Sequence, residues 1–282
     1  MSDYSGDFAH GGALLGGLER ADGKYLNSLS ASSISMLLTC PEKFRLSYLL
    51  QRWPKANAAT TLGSAYHHAL QRNFEQKVFT HADLSMADVF AAYDEGWGKA
   101  LDTEDIWWRD DDPGKTKTLG AEMLRIYHSK LSPTVQPIAV EEFFEQPIPG
   151  VPIPLIGRID LMEQGRIIDR KTAKTGATKA QPEWRVQAFC YFAAYPHMDF
   201  GWHVQSKEGK LRTYGFDKYP GLLLAQTPGK ARAARLLVLR AWEMLTDFYT
   251  RYGLDQPWPG VALAHPYACS NCSHRSGCVW WT

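Results

Sequence analysis

The sequence IGRIDLMEQGRIIDRKT, from Ile156 to Thr172, contains the pattern that decides the fold. Apolar residues lead into the polar turn 163–165 and lead out of it again, which predicts two short strands joined by a tight hairpin. Such a hairpin returns its second strand beside its first, so Asp160 and Asp169 are predicted to approach each other. Lys171 is two residues beyond Asp169 and therefore lies on the same face of that strand.

Two neighbouring carboxylates with a lysine beside them form a candidate metal site. The carboxylates repel each other when they are partly buried, and a hard cation such as Mg²⁺ or Mn²⁺ relieves the repulsion by taking oxygen ligands from both. The lysine can then hold an attacking water or stabilise the charge of a phosphorane-like transition state. On an exposed hairpin the same residues would simply be solvated, and a short Asp-x-Lys motif leaves this alternative open.

The composition describes an ordinary globular protein with one large domain, or one domain and a smaller appendage. No apolar run reaches the roughly 18 residues of a membrane-spanning helix, and the N-terminus lacks the pattern of a secretion signal. We therefore expect a cytoplasmic protein of a bacterial or phage-infected cell. The net charge is only +1, so any phosphate-binding surface must be local.

The five cysteines are unevenly distributed, at positions 40, 190, 269, 272 and 278. An odd number in a cytoplasmic chain argues against a disulfide framework. The last three fall within ten residues, and this clustering indicates a metal ion or an iron–sulfur cluster. Cys190 lies in an apolar helical pattern and is predicted to be a core residue.

The chain divides into four predicted regions. Residues 1–28 are expected to form a disordered or loosely packed tail. A single domain follows, with a helical part over 29–134, a catalytic sheet core over 135–226, and a C-terminal helix with a cysteine-rich tail over 227–282.

Several further side chains are weaker candidates for the same site. His67 lies one turn into a predicted helix, where a lone histidine is more often packed or exposed than a ligand. Gln187 and Tyr191 are one turn apart on another helix and share a face. Glu141 and Glu142 lie in the strand before the hairpin and could reach a second metal ion, although a salt-bridged or exposed role is favoured for both.

In chain order the motifs are Leu-Ser-Ala-Ser-Ser-Ile with Cys40-Pro41, Gly63-x3-His67, Gly157-x2-Asp160, Asp169-x-Lys171, Gln187-x3-Tyr191 and the terminal cysteines. This series resembles the RecB-like branch of the PD-(D/E)XK nucleases over residues 29–280. It looks closest to the iron–sulfur members, which include the CRISPR-associated RecB-like exonucleases and the nuclease domain of AddB.

The resemblance implies an α/β (α+β) fold with a restriction-endonuclease-like core, in which helices flank a central mixed sheet. It also implies a set of metal ligands: His67, Asp160, Asp169 and the backbone carbonyl of Arg170. Lys171 would be the catalytic lysine, and Gln187 and Tyr191 would complete the site with Asp160 and Asp169. His68 follows His67 directly, so the assignment between these two histidines stays open.

For the cysteines, the resemblance implies one [4Fe–4S] cluster that joins the C-terminal tail to the N-terminal helices, bound by Cys40, Cys269, Cys272 and Cys278. Four thiolates would also bind Zn²⁺ tetrahedrally, and this alternative stays open. The great separation of Cys40 from the other three fits poorly with the compact spacing of most zinc ribbons.

The leading hypothesis is a metal-dependent DNA exonuclease or end-processing nuclease in recombination, repair, phage replication or CRISPR adaptation. Its expected partners are single-stranded or duplex DNA ends, recombination or CRISPR-adaptation proteins, and further copies of the chain, with no membrane. The alternative is a non-catalytic DNA-binding or adaptor subunit of such a complex. No Gly-x4-Gly-Lys-Ser/Thr loop is present, so the chain shows no sign of a helicase.

Overall fold

A seven-stranded mixed sheet forms the centre of the molecule. The computed structural model describes residues 17–103, 105–175, 179–212, 223–261, 269–270 and 272–281. The strands of this sheet are β3 (Leu29–Ser30), β6 (Ala139–Gln146), β7 (Leu155–Glu163), β8 (Arg166–Ala173), β9 (Asp199–Ser206), β10 (Leu211–Arg212) and β11 (Leu223–Leu224). Four short strands form two small pairs outside it: β1 (Leu18–Glu19), β2 (Tyr25–Leu26), β4 (Ala56–Asn57) and β5 (Ile106–Trp107).

Helices pack around this sheet and are named α1 to α7 in chain order. Their bounds are α1 (Ala31–Thr39), α2 (Pro41–Phe44), α3 (Ala58–Thr80), α4 (Met86–Thr103), α5 (Pro113–Lys130), α6 (Pro182–Ala194) and α7 (Pro228–Tyr252). Side chains cap the longer helices where the sequence supplies a polar residue, as at Ser30 before α1, Asn57 before α3 and Thr227 before α7. None of the described helices is long and apolar enough to cross a membrane.

The predicted hairpin is confirmed as β7 and β8. These strands pair antiparallel up to Glu163 and Arg166, so only Gln164 and Gly165 remain in the turn. Gly165 has φ +80°, a left-handed conformation that glycine adopts without steric cost. The chain then crosses through α6 to β9, which pairs parallel with β8. This crossover places α6 against the strands that carry the acidic residues.

The mixed α/β architecture agrees with the predicted restriction-endonuclease-like core, whereas the predicted N-terminal tail requires a correction. Residues 1–16 lie outside the described residues. In the described part of the predicted tail, β1 and β2 pair antiparallel and the side chains of Leu18 and Leu26 are buried in the main core. The two isolated apolar residues anchor a segment whose composition resembles a flexible tail.

The segment around α2 holds the C-terminal segment in place. Glu42 accepts a hydrogen bond from the backbone N–H of Trp258 at 2.7 Å, and the guanidinium of Arg45 donates to the carbonyl of Leu254. Ser47 Oγ lies 2.9 Å from His274 Nε2. Each contact joins residues more than 200 positions apart in the chain, so the beginning and the end of the described domain form one structural unit.

Candidate active site

The hairpin brings its two aspartates together at the point where β7 and β8 separate. Asp160 accepts a hydrogen bond from the backbone N–H of Arg170 through Oδ2, at 2.8 Å. Asp169 is nearly completely buried, and burial raises the pKa of its carboxyl while the neighbouring Lys171 opposes that change. The predicted approach of these two carboxylates is therefore present in the structure.

Asp169 is held directly by two side chains, one from β8 and one from α6, and a third side chain supports the second of them. Lys171 Nζ forms an ion pair with Asp169 Oδ2 at 2.8 Å. Gln187 Nε2 donates to Asp169 Oδ1 at 2.6 Å, and the hydroxyl of Tyr191 lies 3.4 Å from the same amide nitrogen. The Tyr191 hydroxyl itself donates to the carbonyl of Arg158 at 2.7 Å. Gln187 and Tyr191, one turn apart, thus act together in orienting one carboxylate.

Gly157 explains why the Tyr191 ring can pack this closely to β7. A Cβ atom at position 157 would lie 2.5 Å from two ring carbons of Phe144 and 3.2 Å from a ring carbon of Tyr191. Those distances are shorter than van der Waals contact, so any larger residue would push the two aromatic rings away. The glycine of the Gly-x2-Asp motif therefore has a packing function at this site.

His67 faces the aspartates, whereas His68 does not. His67 Nδ1 lies 3.5 Å from Asp160 Oδ2, and the ring lies beside the backbone carbonyl of Arg170. Burial, assisted by the Arg170 guanidinium, lowers the pKa of His67 to about 3, so the imidazole is neutral and can act as a metal ligand. His68 turns towards α4, where its Nε2 lies 3.6 Å from Glu95 Oε1.

Glu141 belongs to the site more closely than its sequence position indicates. The register of β6 and β7 pairs Val140 with Leu161 and Glu142 with Ile159, which puts Glu141 opposite Asp160. Its φ of +52° is a left-handed conformation that non-glycine residues seldom adopt. Burial raises the pKa of its carboxyl to about 7, with the Arg170 guanidinium opposing.

Ligand atoms of three side chains converge here. Atoms of His67, Glu141 and Asp160 all lie within 4.8 Å of one another. Carboxylate and carbonyl oxygens suit Mg²⁺ and Mn²⁺, and the Arg170 carbonyl adjoins the same histidine. The donor set therefore fits a divalent cation. Asp169 lies outside this group, and in this structure its oxygens contact Gln187 and Lys171.

The side chain of Arg170 is a feature that sequence reasoning missed. The guanidinium is buried, lies 3.0 Å from Glu141 Oε1, and donates to the carbonyl of Asp160 at 3.3 Å. It offsets part of the negative charge that three carboxylates create. A register prediction for β6 against β7 would have indicated Glu141, but no local signal indicates that an arginine between Asp169 and Lys171 is buried.

The four predicted cluster cysteines also come together, at the junction of the α2 segment and the C-terminal segment. Cys40, Cys269, Cys272 and Cys278 line one small cavity with Lys43 and His274 among its other walls. Burial, with the neighbouring thiols Cys272 and Cys278, raises the pKa of Cys40. Cys190 is fully buried in the core, as predicted.

The sulfur atoms at this cavity are widely spaced. Among the described residues, His67, Glu141 and Asp160 are the one set of three candidate ligands within 4.8 Å of one another, so no three cysteine sulfurs approach that closely. Around a tetrahedral zinc ion with Zn–S bonds of about 2.3 Å, sulfurs would be separated by roughly 3.8 Å. Four thiols around one cavity are a donor set for an iron–sulfur cluster or for a zinc ion.

Comparison with known proteins places this arrangement in a family. No curated protein matches the chain. Among solved structures, a protein from Eubacterium rectale named "putative exonuclease" aligns with a TM-score of 0.49 and 13% identity, over 78% of this chain and 82% of that one. The protein SSO0001 aligns with a TM-score of 0.36 and 11% identity, over 86% and 95% of the two chains. The profile of the PD-(D/E)XK nuclease superfamily matches residues 28–279. The chain therefore belongs to the PD-(D/E)XK nuclease superfamily.

Proposed function

We propose that this chain is a metal-dependent deoxyribonuclease of the RecB-like branch, which hydrolyses phosphodiester bonds as an exonuclease or end-processing enzyme. The observation that carries the proposal is the meeting of His67, Asp160, Asp169 and Lys171 at one end of the β7–β8 hairpin. Membership of a nuclease superfamily supports the reaction type. The choice of DNA and of chain ends is our inference.

The residues that would hold Mg²⁺ or Mn²⁺ are His67, Glu141, Asp160, Asp169 and the backbone carbonyl of Arg170. When bound, such a cation lowers the pKa of a water molecule and neutralises charge on the phosphate. The neutral imidazole of His67 needs no deprotonation before it binds a cation. Glu141 lies beside Asp160, and its Oε1 forms an ion pair with the Arg170 guanidinium at 3.0 Å.

Lys171 would supply a fixed positive charge beside the scissile phosphate. Its ammonium group is partly exposed, while its partner Asp169 is buried, so the lysine can contact a substrate without leaving Asp169. Gln187 and Tyr191 would act through Asp169, since the amide holds Oδ1 and the hydroxyl lies beside the amide. They are positioning residues in this proposal.

At the four cysteines we propose a [4Fe–4S] cluster with a structural role, joining the α2 segment to the C-terminal segment. The arrangement of the four cysteines around one cavity and the resemblance to iron–sulfur nucleases support this proposal. Iron and acid-labile sulfide measured on anaerobically purified protein would test this assignment. Stoichiometric zinc without iron would instead establish the alternative.

The proposed substrates are DNA ends, and the proposed partners are recombination or CRISPR-adaptation proteins or further copies of the chain. The decisive experiment compares wild type with Lys171→Ala on end-labelled linear DNA, closed circular DNA and RNA, with Mg²⁺ or Mn²⁺. We expect wild type alone to degrade linear DNA and to spare circles and RNA.

Other outcomes would change the proposal in specific ways. Cleavage of circles would mean endonuclease activity, and preferential cleavage of RNA would replace the substrate. Binding without cleavage of any of the three would favour the adaptor function. Equal cleavage by wild type and Lys171→Ala would show that Lys171 on this hairpin takes no part in the reaction. Lys174→Ala is a matched control, because this exposed lysine follows on the same strand end without contacting Asp169.

A further inference from the structure

A groove leads away from the candidate active site between α1 and α6. It is a cavity of about 330 Å³, and both Lys171 and Gln187 form part of its wall. The groove is therefore continuous with the catalytic lysine. The proposed cleavage reaction needs only the residues of the active site, so the other groove residues are free to determine which substrate binds.

One wall is a single face of α1. The α1 residues on this wall recur at helical spacing and are Ser32, Ser35, Met36 and Thr39. Lys43 of α2 extends the same wall beyond Pro41. The opposite face of α1 carries Ile34 and Leu37, which are completely buried in the core. The hydroxyls of Ser32 and Ser35 and the ammonium group of Lys43 thus line the groove, a set that can donate hydrogen bonds to phosphate oxygens, whereas the Thr39 hydroxyl already donates to the carbonyl of Ser35 at 2.8 Å.

The other wall is the first turn of α6, and its chemistry differs. Trp184 lines the groove and is backed by the buried Trp202, with ring centroids 6.2 Å apart. This packing holds the indole in a fixed orientation. Glu183 lies beside it and is exposed. A carboxylate repels phosphate, so the sugar–phosphate backbone of a strand is expected to follow the α1 wall and its bases the α6 wall.

We propose that this groove binds an unpaired nucleic-acid strand, with the backbone along α1 and one base stacked on Trp184. An aromatic platform serves an unpaired strand, because bases in a duplex are already stacked on their own neighbours. The groove, with a volume of about 330 Å³, has the size of a small-ligand site and can take one base beside its backbone. The inference rests on the proposed nuclease function and specifies its substrate as single-stranded.

Stacking of a base on Trp184 is tested by measuring the affinity for a short labelled oligonucleotide by fluorescence anisotropy, with Ca²⁺ in place of Mg²⁺. Loss of one stacked base by alanine substitution corresponds to roughly a 5- to 150-fold weaker affinity. We expect a loss of this size for Trp184→Ala with the single strand and little change with the matched duplex. Trp184→Phe should retain most of the affinity, because it keeps an aromatic ring.

Two matched controls separate this site from general surface effects. Trp107→Ala removes another exposed tryptophan, outside the groove, and should leave single-strand affinity unchanged. Lys43→Ala should reduce the salt dependence of single-strand binding by about 0.7 in the slope of log K against log salt, the value for one phosphate contact. Lys130→Ala, at the exposed end of α5, should leave that slope unchanged.

A cross-linking measurement makes the test independent of variant stability. Trp184 packs on Trp202, so Trp184→Ala could unfold the protein. Irradiation of wild-type protein with a strand that contains 5-iodouracil should attach the strand to the peptide that contains Trp184. Attachment exclusively elsewhere would overturn the proposal.

The results distinguish this proposal from the proposed function. Lys171-dependent cleavage with unchanged single-strand binding by a folded Trp184→Ala variant would refute the groove assignment and leave the nuclease intact. Equal loss of duplex and single-strand binding would also refute it. A Trp184-dependent single-strand complex in a protein that cleaves nothing would support the groove and refute the nuclease.

Discussion

Replacing Gly157 by alanine would insert a methyl group between Phe144 and Tyr191. The added carbon would lie 2.5 Å from two carbons of the Phe144 ring, whereas carbon atoms pack best at about 3.5–4.0 Å. One or both rings must therefore move by about 1 Å. Overpacking of this kind destabilises a core by about 1–3 kcal/mol. For a chain of this size we expect the melting temperature to fall by roughly 2–6 °C.

Gly157→Ala should also lower the rate of cleavage, because the displaced Tyr191 supports the side chain that orients Asp169. Displacement of Tyr191 loosens its 2.7 Å hydrogen bond to the Arg158 carbonyl and its 3.4 Å approach to the Gln187 amide. Gln187 then holds Asp169 less firmly. A displacement of about 1 Å in a positioning group can reduce catalysis by up to about 100-fold. We expect Gly157→Ala to lose cleavage of labelled linear DNA in that range while it remains folded.

Two comparison variants make this prediction specific. Gly98→Ala, in α4, adds a methyl group with no described atom within 4 Å and should stabilise the protein by about 0.5–1 kcal/mol. Phe144→Leu combined with Gly157→Ala frees space for the new methyl group, so the double variant should be more stable than the sum of the single effects. Strict additivity, or a Gly157→Ala protein with wild-type stability and activity, would refute the packing argument.

Three further predictions concern individual side chains. Gln187→Leu removes the 2.6 Å hydrogen bond to Asp169 and should lower cleavage by about 10- to 100-fold with little change in melting temperature; a change below twofold would contradict its positioning role. Glu141→Gln should weaken Mn²⁺ binding, followed by calorimetry, by at least about tenfold, whereas Glu142→Gln, outside the ligand group, should not. Burial lowers the pKa of His203 from its ordinary 6.5 to about 3, so the folded state favours the neutral ring, and stability is lost as pH falls from about 6.5 towards 3. Between pH 7.5 and 5.0 this loss of stability is about 2 kcal/mol. His203→Gln keeps a hydrogen-bond partner for Tyr127 but has no titrating ring, so its melting temperature should decrease less over this pH range than that of wild type. An equal decrease in both proteins would contradict this assignment.

The sequence allowed the hairpin and the shared face of Asp169 and Lys171 to be predicted because both are local. Alternating apolar residues fix which side chains share a face, and a two-residue turn fixes the register between Asp160 and Asp169. The spacing of Gln187 and Tyr191 likewise specifies one helix face. These features need no knowledge of distant parts of the chain.

Other parts of the site depend on long-range contacts and could not be predicted in this way. Glu141 rather than Glu142 faces the site because of its left-handed backbone and the buried Arg170 guanidinium, and neither leaves a local pattern. Which of the adjacent residues His67 and His68 faces the aspartates depends on how α3 packs against α4. The two-residue strand β3 is too short for any periodicity, and its parallel partner β7 lies far along the chain.

The contacts between the α2 segment and the C-terminal segment can form only late in synthesis. Tyr191, the last candidate active-site residue, leaves the ribosome well before Trp258, His274 and Cys278, which contact or adjoin the α2 segment. Helix α1, which forms one wall of the groove, is fixed at its start by the pairing of β3 with β7 and at its end by this late-arriving segment. A chain that stops before Trp258 thus carries the hairpin residues but lacks the contacts that hold the α2 segment. We expect such a truncated chain to retain the β7–β8 hairpin and to lose order in α1 and α2, which proteolysis of the two segments would detect.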